Sequence, residues 1–112
     1  MISRLLEPKV RLSVEAEEDL FDIWRFVANN DSPAKANTLL DNLETACHSL
    51  SKAPNKGYVP KELRRVDIFE FHEIHYKPYR ILYEHDEKRV LIHAILDGRR
   101  DMESLLRSRL LR

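Results

Sequence analysis

The apolar positions of this 112-residue chain fall into blocks with different periods. From Lys9 to Ser13, Val10 and Leu12 alternate with Lys9, Arg11 and Ser13, which predicts a short half-buried strand. The period then lengthens. Ala16, Leu20, Ile23 and Val27 recur at four, three and four, one face of a helix. Ser13 is placed to cap it, and Glu15, Glu17, Glu18 and Asp19 crowd its first turn, where the helix dipole favours anions. Phe21, Trp24 and Phe26 widen the apolar surface and are expected in the core. Asn29-Asn30-Asp31 breaks this helix. Ser32-Pro33 restarts one, with a serine cap and proline at the first helical position. Ala36, Leu39, Leu40, Leu43, Ala46, Cys47 and Leu50 form its apolar stripe, which ends before Pro54 and Gly57. Two helices with so short a connection make a hairpin whose apolar faces need a sheet to cover.

The second half reads mainly as strands. Asn55 to Arg65 is expected to be a loop carrying solvated cations at Lys56, Lys61, Arg64 and Arg65. Val66 to Tyr76 has strand chemistry, but Phe69 and Phe71 differ in parity from Ile74 and Tyr76, which predicts a bulge or irregular stretch near His72. Tyr79–Glu84 is β-branched and aromatic-rich, Val90–Leu96 is nearly all apolar, and His85–Arg89 between them is polar, a hairpin signal. The apolar run suits a central strand buried on both faces. Gly98 is expected to turn the backbone sharply, leaving Arg99 and Arg100 at the corner. Asp101 can cap a final helix with Leu105, Leu106 and Leu110 on its apolar side and a basic tail at Arg107, Arg109 and Arg112. The order strand, helix, helix, strand, strand, strand, helix predicts an α+β fold. A small antiparallel sheet carries an N-terminal helical hairpin on one face and ends in a short C-terminal helix, all in one domain over residues 1–112. The other sheet face is expected to be partly open, for a partner to cover.

Composition narrows the function classes. Lys+Arg and Asp+Glu are 19 each, so net charge points to no particular partner. Residues 57–112 hold 12 basic and 10 acidic residues and four of the five histidines, a mild cationic excess that grows as the histidines protonate. The single cysteine, Cys47, lies in a helical stripe and fits a core thiol in a reducing cytoplasm. Met1–Leu6 is too short, and too interrupted by Arg4, for a signal peptide. No apolar run approaches a membrane span of about 18 residues. His72-x-x-His75 is no metal pair, because strand positions three apart face opposite ways and no Cys, His or Glu set completes a tetrahedral site. His93 fits a satisfied core residue and His85 an exposed turn. No cofactor motif is present.

Arginine carries the remaining chemistry. Arg80 shares its strand face with Leu82 and Glu84, while Tyr79, Ile81 and Tyr83 face the other way. A guanidinium in mid-strand needs a partner or an open surface. One expectation is an ion pair with Glu84, Asp97 or a glutamate of another strand. The other is an anion-facing groove in which Arg80, Arg99 and Arg100 grip phosphate or carboxylate, with Asp97 neutralising one of them.

AEEDLFDIWRFVA at 16–28, GYVPKEL at 57–63, and PYRILY followed by ILDGRRDMESLL within 78–106 together resemble the RelE/ParE superfamily of toxins from bacterial type II toxin–antitoxin (plasmid-stabilisation) modules. The resemblance covers nearly the whole chain in order. It implies the sheet and helical hairpin described above, and one of two activities: cutting mRNA in the ribosomal A site, as RelE-like members do, or poisoning DNA gyrase, as ParE-like members do. The ribonuclease branch uses two lysines before the Tyr-Arg motif, the arginine of that motif, an arginine at the Gly-Arg-Arg corner and a tyrosine in the last helix. Arg80 and Arg100 match the arginines and are the candidate catalytic groups. The lysine positions fall on Phe71 and Glu73 and the tyrosine on Leu106, so three of five groups are absent. The resemblance therefore favours a ParE-like, non-enzymatic toxin directed at gyrase. A cytoplasmic endoribonuclease, or an inactive module that only binds antitoxin, is the alternative. It also implies a cognate antitoxin and a toxin–antitoxin hetero-oligomer, with Arg80, Arg99, Arg100, Tyr83, His72 and Asp97 as the surface that meets target or antitoxin.

Overall fold

Ser13 turns the chain from strand into helix. Its extended backbone (φ −63°, ψ 162°) closes β1, Lys9–Leu12, and its hydroxyl accepts the N–H of Ala16 at the head of α1, Val14–Asn30. Ser32 repeats the device for α2, Pro33–His48, accepting the N–H of Lys35 with Pro33 in the first turn. A 3-10 turn, Ser49–Ser51, takes up the end of the expected second helical stripe, and a second, Pro54–Lys56, with a one-turn helix α3, Lys61–Arg64, interrupts the stretch from Asn55 to Arg65 that sequence pattern suggested was plain loop. Strands β2, His72–Tyr76, β3, Tyr79–His85, and β4, Arg89–Asp97, follow, and α4, Met102–Leu110, closes the fold. The computed structural model describes residues 9–111; Met1–Leu6 and Arg112, named above, lie outside them.

The four strands form one sheet in the order β1-β4-β3-β2. The pairs β2–β3 and β3–β4 are antiparallel, as expected. The pair β1–β4 is parallel, with Lys9 opposite Arg89 and Leu12 opposite Ile92, so the sheet is mixed. No hairpin joins these two strands, and alternation in a four-residue segment carries no information on direction. The expected irregularity before His72 is present, because Val66–Phe71 is not strand and β2 begins only at His72. Asp67 turns there through a left-handed φ of 58°, a conformation aspartate tolerates better than most residues. A true bulge lies elsewhere. Leu82 opposes Ala94 and Tyr83 opposes Ile92, which leaves His93 as the extra residue of β4.

That bulge changes which side of the sheet each residue faces. Val90 and Ile92 point to the helical hairpin, where they pack with Ala16, Leu20, Leu43, Cys47, Leu50, Ile81 and Tyr83. Past His93, Ala94 and Leu96 point to the opposite face, with Leu63, Phe71, Leu82, Met102 and Leu106. The second face is therefore not open. The chain covers it with α3, Phe71 and α4, and Leu63, Leu82, Ala94 and Leu106 are each at most 2% exposed. Phe21 and Phe26 correct the expectation in the other direction: they stand 58% and 67% exposed on the outer side of α1. A helix packed against one sheet buries only one stripe, and Ala16 and Leu20 already fill it.

The bulge also frees backbone groups. Asp19 of α1 accepts the N–H of Ile95 at 2.9 Å. Arg109 of α4 donates to both oxygens of Asp19 at 3.0 and 2.9 Å and to the carbonyl of His93 at 3.0 Å. Ser13 Oγ donates to the same carbonyl at 3.3 Å. The acidic residue assigned to the helix dipole thus holds the last helix against the first.

Candidate functional site

Arg80 lies mid-strand on the α3–α4 side of the sheet and is 9% exposed. A buried guanidinium needs carboxylates, and it has two. Its Nη1 and Nη2 donate to Glu62 of α3 at 3.0 and 2.8 Å, a bidentate pair, and its Nε and Nη2 donate to Glu73 of β2. The hydrogen bonds that Arg80 donates to Glu62, then to Glu73, hold it more firmly charged than usual, and the same bond holds the Glu62 carboxyl below its ordinary range. The expected ion pair with another strand's glutamate is thus present at Glu73. Glu62 supplies a second carboxylate, and Glu84 and Asp97 are engaged elsewhere. Glu84 accepts from His93 Nε2 at 2.6 Å, and that ring stands edge-on to Phe71, so His93 is half-buried and paired rather than fully enclosed.

The anion-facing groove is not formed as expected. Arg80 faces carboxylates, and Arg99 donates to Asp97 through Nε and Nη2 at 3.0 and 2.7 Å. That contact, led by the Arg99 hydrogen bond, holds the Asp97 carboxyl below its usual range. Arg100 alone extends into solvent without a side-chain hydrogen bond or ion pair among the described residues. Gly98 has no positive φ, so the corner does not need glycine for its turn. It needs glycine for space, because a Cβ there would sit 2.9 Å from Cδ of Arg80.

Above Arg80 lies an open groove of about 420 Å³ lined by Tyr58, Val59, Lys61, Arg64, Glu73, His75, Arg80 and Gly98. His75 Nε2 is 3.0 Å from Tyr58 Oη and 3.2 Å from Glu73 Oε1. Sequence pattern missed Glu62, Tyr58 and His75 as a group, since they come from a short helix, a bridge residue and a strand edge. The paired bridge between Tyr58 and Glu73 is what brings them together. Cleaving RNA would require a cation to stabilise the phosphorane beside an acid and a base. Here the central cation is matched by two carboxylates, and a phosphate entering beside it would meet negative charge. Phe71 is 9% exposed and packs in the core.

Tyr83 and His72 lie on the other side of the sheet. Tyr83 is fully buried, so it cannot touch a partner directly. Its hydroxyl donates to Pro54 O at 2.7 Å and accepts the N–H of Gly57 at 3.1 Å. His72 is half-buried, stacked among Tyr83 and His85 with centroids 5.9 and 5.4 Å away, and burial, then His85, lowers its pKa. Both are structural supports of the hairpin face rather than parts of the cationic corner. The described residues contain no group of three or more His, Cys, Asp or Glu able to hold a metal ion. No described helix is long and apolar enough to cross a membrane.

The sequence matches the model of the family described as ParE toxin of the type II toxin–antitoxin system parDE over residues 10–102. The chain belongs to the ParE toxin family. It is similar to Toxin ParE3 of Caulobacter vibrioides, with 31% identity over 88 residues covering 79% of this chain and 84% of that protein. This ParE-family toxin also shares its fold with solved structures. One, of the chromosomal ParDE system from P. aeruginosa, matches with a TM-score of 0.66 and 15% identity over 80% of this chain and 94% of that one. Another, of the RelBE2 toxin–antitoxin complex from Mycobacterium tuberculosis, matches at 0.56 and 20% over 80% and 95%. The α+β architecture expected from the sequence, here with four mostly antiparallel strands, a helical hairpin and a C-terminal helix, is thus a fold shared with these solved structures.

Proposed function

We propose that this ParE-family toxin acts on DNA gyrase and is held inactive by a cognate antitoxin. The observation that carries the first part is the state of Arg80. Its guanidinium is enclosed by Glu62 and Glu73, so the group that a ribonuclease would turn toward phosphate serves here to hold α3 onto the sheet. Phe71 and Leu106, which stand where the resemblance places a lysine and a tyrosine, are both core residues. A toxin whose mid-strand arginine is closed off by two carboxylates favours a macromolecular target bound by surface contact.

For the second part, the cations of the α3 layer support an antitoxin that is acidic and amphipathic. Lys61, Arg64, Arg65 and Arg100 are exposed, and Val66 and Phe69 beside them are 54% and 53% exposed. A segment disordered when free could fold across that surface. The structural relatives named as toxin–antitoxin systems fit this reading.

The test is a supercoiling assay with purified toxin, gyrase and relaxed plasmid. Inhibition at micromolar toxin is expected, with mRNA on translating ribosomes left intact. Unimpaired supercoiling together with cut transcripts would replace this reading with ribonuclease action. Unimpaired supercoiling and normal growth on induction without antitoxin would leave only a binding module.

A further inference from the structure

We propose that the outer face of α1 is the surface that enters the target, and that it fits a concave, basic protein cleft of the kind a DNA-handling enzyme uses for the phosphate backbone. The inference rests on the proposed gyrase reading and adds which face makes the contact. Among the described residues, three of the seven exposed large apolar ones lie on this one helix: Val14, Phe21 and Phe26, at 72%, 58% and 67% exposure. Exposed Glu17, Glu18 and Asp22 stand on the same side. Arg25 stacks its guanidinium 4.9 Å over the Phe21 ring and bonds Asp22 at 2.8 Å, so the ring is held in place before any partner arrives.

Charge supplies the complement. Residues 14–48, which span both helices of the hairpin, hold eight acidic and two basic residues, while the rest of the chain holds 11 acidic and 17 basic. The zero net charge therefore conceals an acidic helical hairpin in an otherwise basic chain. Complementarity requires a cationic partner for the hairpin. Geometry requires a concave one: five residues along a helix turn about 140° past a full revolution, so Phe21 and Phe26 flank the face and no flat surface touches both. Aromatic anchors in a charged surround are how a helix seats in a groove. An enzyme that binds duplex DNA must carry a basic concave surface, because it has to neutralise phosphates. The antitoxin surface proposed above, around α3 and Arg100, is cationic and so leaves this face to a different partner.

The experiment uses the full chain and the gyrase holoenzyme. Phe21→Ser/Phe26→Ser and Glu17→Lys/Glu18→Lys are compared with wild type for supercoiling inhibition and for direct gyrase binding, with added linear duplex DNA as competitor. Each double variant is expected to raise the half-inhibitory concentration tenfold or more, with its thermal midpoint and its affinity for the cognate antitoxin unchanged. Wild-type binding should weaken with salt and with competitor DNA. Variants that inhibit as well as wild type overturn the proposal while the gyrase reading stands. Variants that lose antitoxin affinity assign the face to the antitoxin, and a change in sedimenting mass assigns it to a second copy; either result overturns it. A wild-type protein that never inhibits gyrase removes both readings at once.

Discussion

Replacing Arg80 by methionine tests whether this arginine holds the fold or performs chemistry. The substitution keeps the length of the stem and removes the charge. It strands Glu62 and Glu73, whose side chains are 9% and 3% exposed, with no cation between them. Breaking one partner out of a buried ion pair costs about 3–5 kcal/mol, and two stranded carboxylates place Arg80→Met at the upper end. Against a total stability of about 5–15 kcal/mol this is a large fraction. With a urea slope of about 1–3 kcal/mol per molar, the unfolding midpoint should fall by about 2 M. The pH dependence has a definite sign. Glu62 is held below its ordinary pKa by Arg80, so its contribution to wild-type stability is present above the usual carboxyl value and is lost as pH falls. In Arg80→Met that contribution is gone, and acid neutralises the stranded carboxylate instead. The gap between the two proteins should narrow from pH 7 toward pH 4. The triple variant Arg80→Met/Glu62→Gln/Glu73→Gln should recover much of the loss, because no bare charge remains. Urea melts at both pH values decide the matter. A single variant within about 0.5 kcal/mol of wild type, or a triple variant no better than the single, would refute the reasoning.

Three further outcomes follow from other contacts. Gly57→Ala places a Cβ 2.4 Å from Tyr83 Oη and 2.7 Å from Glu73 O, so thermal melting should show a loss of about 1–3 kcal/mol. Asp19→Ala leaves the N–H of Ile95 and the Arg109 guanidinium without their carboxylate; amide exchange should rise in α4 and at Ile95 ahead of the helical hairpin. Burial, with Glu44 adding to it, pushes the Cys47 thiol up to about 12, so a thiol reagent at pH 8 should label it only at the rate of unfolding, and labelling of the folded protein within minutes would contradict that.

The elements most legible in the sequence were those with strong periods. The two serine caps, the α1 and α2 stripes, and the β3–β4 hairpin follow from local chemistry alone. What stayed hidden depends on contacts between segments far apart. The direction of β1 is fixed by β4, some eighty residues away. The bulge at His93 is invisible in an apolar run because every residue there suits either face. Phe21 and Phe26 carry the same apolar signal as core aromatics, and only the limited width of the buried stripe puts them outside. At the site, mid-strand Arg80 announced its need for a carboxylate, and Glu73 answered to the strand pattern. Glu62 could not be found that way, because it reaches Arg80 from a one-turn helix whose position depends on Leu63 packing beneath the sheet. Tyr83 looked like surface aromatic chemistry and proved to be a post for the Pro54–Gly57 turn.

The carbonyl of His93, shared by Ser13 and Arg109, has a consequence for how the protein comes into being. Asp19 emerges during synthesis 90 residues before the guanidinium that it will grip. Until then the sheet can assemble only with its irregular strand unclasped. The closing step joins the opening helix to the last one, a contact between near-opposite ends of the described chain, and long-range closures of this kind are slow. The nascent toxin thus reaches its finished shape only once its last described helix has been made.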